Sequence, residues 1–120
     1  MKYMLMIYGN EELWSSFPQA EMEQVVTDTD ALHEELTASG EFVSAYGVGD
    51  QVLAKQVTLV DGAPVVSDGP YLEAKEYLAS FDIIDVDSLE RALEIAARVP
   101  FARLGQVEVR PLMHEAPDNE

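Results

Sequence analysis

YLASFDIIDV, residues 77–86, is the longest run in the chain that reads as a β-strand. Strand alternation sends Tyr77, Ala79, Phe81 and Ile83 one way and Leu78, Ser80, Asp82 and Ile84 the other. Both faces are largely apolar, so each needs a cover. Downstream, Asp87-Ser88-Leu89-Glu90 fits a capping box with Asp at the cap. It opens a helix carrying Leu89, Ala92, Leu93, Ala96 and Ala97 on one face and stopping before Pro100. Gln106 to Leu112 then alternates, Val107 and Val109 against Glu108 and Arg110. Upstream, Asp68-Gly69-Pro70-Tyr71 reads as a turn, with Gly69 expected at positive φ.

The first half completes the pattern. Lys2 to Tyr8 reads as a buried strand ended by Gly9-Asn10. Ser16-Phe17-Pro18-Gln19 offers helix-start chemistry, with Ser16 as cap. Met22, Val25, Val26, Thr29, Leu32, His33 and Leu36 follow at helical spacing, and Gly40 stops the helix. Glu41 to Tyr46 and Val52 to Val60 are further strands, and Asp61-Gly62 turns the latter back into Pro64-Val65-Val66. The order β-α-β-β(-β)-β-α-β predicts an α+β, ferredoxin-like sandwich. Two one-faced helices cover one side of its sheet. The opposite apolar side is expected to meet a second sheet, in a homodimer.

The charge balance restricts the partners. Seven Lys and Arg against 23 Asp and Glu give a formal net charge of −16. Between Lys2 and Lys55 there are ten acids and no Lys or Arg. Phosphate neutralisation needs clustered cations, so no nucleic acid and no anionic membrane surface is expected as a partner. Without cysteine there are no disulfides, thiolate nucleophiles or Cys-held metals. No leader-like segment and no apolar run approaching ~18 residues stands out, and a cytoplasmic location is expected. Residues 1–113 read as one domain and 114–120 as a polar tail.

Several side chains are candidates for chemistry. His33 lies on or beside the apolar stripe of the first long helix, with Asp30 three residues earlier to orient it. Imidazole at such a position is either a satisfied core group or a general acid/base. One helical His with scattered carboxylates is a poor metal-ligand set, so no metal is expected. Asp68 sits in the turn, with Glu73, Lys75 and Glu76 close behind. Glu73 and Lys75 share a face of an extended segment and are either a surface ion pair or a cleft pair. Arg110 serves either a bridge to a carboxylate or capture of an anionic ligand. The expected pocket lies where the turn meets the first helix and the last strand. Its catalytic candidates are His33, Asp68 and Glu73, and its ligand-binding candidates are Lys75, Glu76 and Arg110.

Three segments carry a resemblance: KYMLMIYG at the start, VVSDGPYLEAKEYLASFDIIDV in the middle and VPFARLGQVEVRPLM at the end. Together they resemble the DGPF-domain group of YCII-related proteins, with Tyr71 in place of the Phe of the DGPF turn. The resemblance implies a ferredoxin-like fold that dimerises into an α/β barrel, and no particular reaction. Some relatives are small-molecule enzymes with a His–Asp pair whose His lies early in the first helix. The corresponding stretch here, Thr27-Asp28-Thr29-Asp30, has no His. Two function classes fit. One is a ligand-binding or accessory module with a pocket at the dimer cleft and no cofactor, taking a small-molecule ligand. The other is a small-molecule acid/base enzyme of isomerase, lyase or dehydrochlorinase type.

Overall fold

The computed structural model describes residues 1–69 and 76–117. Its strands are β1 (Lys2–Gly9), β2 (Phe42–Gly47), β3 (Lys55–Val60), β4 (Ala63–Asp68), β5 (Tyr77–Asp85) and β6 (Val107–Pro111). Its helices are α1 (Glu11–Ser16), α2 (Gln19–Ser39) and α3 (Leu89–Arg98). Four strands form one antiparallel sheet in the order β2-β5-β1-β6. Each β-α-β unit therefore encloses a strand of the other, the arrangement of a split β-α-β sandwich. β3 and β4 stand apart as a two-stranded sheet.

Register explains the core. Leu5 lies opposite Asp82 and Val109, and Tyr3 opposite Ile84 and Pro111, so these side chains share one sheet face. α2 contributes Leu32 and Leu36 to that face, and α3 contributes Ala92, Ile95 and Ala96. Met4, Met6, Phe81 and Ile83 alternate onto the other face and are half-buried, and Tyr46 is exposed there beside Phe81, with ring centroids 5.5 Å apart. Among the described residues no helix contributes buried side chains to that face.

Local chemistry moves several expected boundaries. Asn10 caps α1, its side chain accepting from the Leu13 N–H at 2.6 Å, so Ser16 ends a helix instead of starting one. α2 begins after Pro18 without a side-chain cap. The cap of α3 is Ser88, not Asp87: its hydroxyl accepts from the Arg91 N–H at 3.1 Å. The buried stripe of α3 runs through Ala92, Ile95 and Ala96, leaving Leu89 and Leu93 half-exposed. A short 3-10 turn over Gln51–Leu53 precedes β3, shortening that strand. Asp61 and Gly62 both have positive φ, the backbone that matches hairpin twist, as expected from the Asp-Gly pair. Gly69 does not have positive φ; a Cβ there would come within 2.6 Å of Gln56 Cγ, so close approach is its use.

Candidate functional site

Asp82 is the buried charged residue of the core among the described residues, 7% exposed. β5 brings it to the helix-covered face between Leu5 of β1 and Ala45 of β2. A lone carboxylate there would be strongly disfavoured, and α2 supplies the partner. His33 Nε2 lies 3.0 Å from Asp82 Oδ2. His33 is on the side of α2 that also carries buried Leu32 and Leu36. Its ring leans on Phe42 of β2 at a centroid distance of 4.7 Å. Among the described residues Nδ1 has no hydrogen-bond partner. A carboxylate only accepts, so Nε2–H donates to Asp82, and in the neutral imidazole Nδ1 keeps its lone pair.

The pair borders a cavity of about 200 Å³. Ile7, Leu32, Val99 and Phe101 form apolar wall, and Ser80 and Thr29 add hydroxyls. The Thr29 hydroxyl donates to the Val25 carbonyl at 2.7 Å, leaving its oxygen as an acceptor. Among the described residues no Lys or Arg lines this cavity. Its wall is braced from behind: Phe101 meets Trp14 of α1 edge-on, with centroids 5.9 Å apart. Trp14 lies so close over Gly9 that a Cβ on Gly9 would overlap the indole, so the Gly at the end of β1 sets the position of the wall.

The other expected site residues are dispersed. Asp68, at the end of β4, is exposed and pairs with Lys55 across the hairpin. Glu73 and Lys75 lie outside the described residues. Glu76 is exposed and borders a groove with Tyr8, Gln106 and Glu108. Arg110 is exposed on the open sheet face and donates from Nε to Glu108 Oε1 at 2.8 Å, the bridge option for this guanidinium. Beside them, burial and the Glu108 carboxylate raise the Tyr8 hydroxyl above its ordinary pKa, with Arg110 opposing. His33 and Arg110 are thus on opposite sides of the sheet, and Asp30 is not the group that binds His33. Asp82 is the functional candidate that sequence reasoning missed. Its signal was a carboxylate in mid-strand, in phase with Ile84, facing a His-bearing helix.

The described residues hold no group of three or more His, Asp and Glu placed to bind a metal ion. No helix among them is long and apolar enough to cross a membrane. These observations define an α+β domain with a buried His–Asp pair beneath its helices. The model of the YCII-related domain matches residues 1–116. An uncharacterised protein of Rhizobium meliloti (strain 1021) is 32% identical over 114 residues, covering 93% of this chain and 92% of that protein. The chain belongs to the YCII-related family.

Proposed function

We propose that the chain is a small-molecule acid/base enzyme acting through His33 and Asp82, in a homodimer joined through its open sheet faces. The observation that carries this reading is the buried Asp82 carboxylate held 3.0 Å from His33 beside a cavity. His33 Nδ1 takes a proton from an acidic C–H or O–H of the substrate and returns it to another atom. Asp82 is the positioning residue: it fixes the ring's tautomer and stabilises the imidazolium that forms. The cavity, about 200 Å³, is somewhat larger than the ~150 Å³ engineered cavity known to admit benzene, which sets a single ring as the substrate size. With no cation among the described residues of its lining and −16 on the chain, it favours an uncharged ring over a carboxylate or phosphate. The homodimer rests on Met4, Met6, Phe81 and Ile83 lying on a face without a helix.

The test is deuterium exchange. Cyclohexanone in D2O, followed by proton NMR, is expected to lose α-protons faster with wild type than with buffer. His33→Ala and Asp82→Asn, each checked for folding by circular dichroism, lose the acceleration. Exchange at the same rate in wild type and both variants contradicts the acid/base reading.

A second reading has its own observation. Glu76, Tyr8 and Glu108, with Arg110 on Glu108, flank a groove by the open face, which suits a non-catalytic ligand site completed at a dimer cleft. In that case a small-metabolite thermal-shift screen finds ligands that stabilise wild type but not Arg110→Ala, while His33→Ala responds like wild type.

A further inference from the structure

We infer that the β3–β4 hairpin is an arm that clasps a second copy of this chain. Every residue of both strands is exposed. Register puts Val57 opposite Val66 and Leu59 opposite Pro64 on one face, and Val60 opposite Ala63 and Thr58 opposite Val65 on the other. Val57, Leu59 and Val66 are 66%, 70% and 64% exposed, and Val52 and Leu53 at the base of the arm are more exposed still. An isolated two-stranded hairpin is marginal in water, and this one leaves its apolar groups to solvent on both sides.

Area points to a second copy as the occupant. The chain exposes 8521 Å², against ~6,500 Å² for a compact monomer of its mass. Its radius of gyration is 16.8 Å, against ~13.5 Å for a compact domain of this length. The excess surface, about 2,000 Å² per chain, is the size that large, permanent homodimers bury on each partner. Charge points the same way. Residues 51–68 hold one Lys and two Asp, so the arm carries a formal charge of only −1 in a chain of −16. An apolar arm with so little charge can lie on an acidic copy with little repulsion, and it offers little charge with which to select a basic partner. This goes beyond the open-face dimer of the proposed function, because it gives the dimer a second, separately removable contact.

The absence of native cysteine makes the test direct. Sedimentation velocity on wild type, Leu59→Asp/Val66→Asp and a variant with residues 55–68 replaced by a short Gly-Ser linker reads the dimer constant. A Thr58→Cys protein carrying a benzophenone label reads what the arm touches. The expected result is a wild-type dimer, weakening by roughly 100-fold or more in both arm variants, and photo-crosslinks joining two copies. Unchanged dimer constants in the folded arm variants overturn the arm and leave the open-face dimer standing. A monomeric wild type, or label that reacts only within its own chain, overturns the arm as well, and the monomer also removes the open-face dimer.

Discussion

His33 and Asp82 hold each other in place, but a pair of this kind is a poor stabiliser. Burying a carboxylate and an imidazole sacrifices hydration that one hydrogen bond only partly restores. Removing one partner therefore differs from removing both. His33→Leu leaves Asp82 with its lone pairs unmet and is expected to lower stability by about 1–3 kcal/mol. His33→Leu/Asp82→Leu is expected to recover most of that loss or exceed wild type, as measured by urea denaturation. A double variant weaker than His33→Leu would mean that the pair is kept for stability. The two residues were unequally legible in the sequence. Helical spacing placed His33 beside the apolar stripe, and α2 keeps that phase. Asp82 was hidden because strand alternation sorts residues into two faces without saying which one the helices cover. Only Leu5 opposite Asp82 and α2 above it show that the carboxylate is on the covered side.

At the scale of elements, strand order and the phase of α2 were readable, and the phase of α3 and the caps were not. Asn10 follows a strand-ending Gly and precedes two acids, which hid a six-residue helix inside what read as a loop. α3 slipped by one residue because Asp87 and Ser88 both make good caps, and the Arg91 N–H settles on Ser88. Arg91 also ties α3 to the start of β2. Its Nε and Nη2 donate to the two carboxylate oxygens of Glu41, at 2.8 and 2.9 Å. Ser39 donates to the same group at 2.7 Å. Hydrogen bonds from Arg91 and then Ser39 lower the Glu41 pKa to about 2. A depressed carboxylate stabilises the fold above its unfolded pKa, and the contribution fades as pH falls toward 2. Glu41→Gln is expected to lower the thermal midpoint at pH 7 and to narrow its gap to wild type between pH 4.5 and 2. A gap independent of pH in scanning calorimetry contradicts the bridge.

For the whole molecule, the dominant facts are the acidic surface and the apolar groups it leaves uncovered. The open sheet face was legible in the alternation of β5, since two one-faced helices cannot cover both sides of a sheet. The independence of the hairpin was not. VLAKQVTLV and PVV read as strands, but exposure of both their faces depends on their not joining the main sheet. Two copies at −16 repel, while the surfaces proposed to join them are largely apolar. Dimerisation is therefore expected to tighten as sodium chloride rises from 20 to 300 mM, because screening removes repulsion and leaves apolar burial intact. Weakening with salt in sedimentation equilibrium would indicate ion pairs across the interface instead. The function rests on a smaller point, the proton on His33. Nitrogen-15 NMR of the imidazole at pH 8, with phenol as a neutral ring and benzoate as its charged counterpart, tests it most directly. The account predicts the Nε2–H tautomer and an Nδ1 resonance that moves with phenol and not with benzoate. An Nδ1–H tautomer, or an Nδ1 resonance indifferent to phenol, would contradict it.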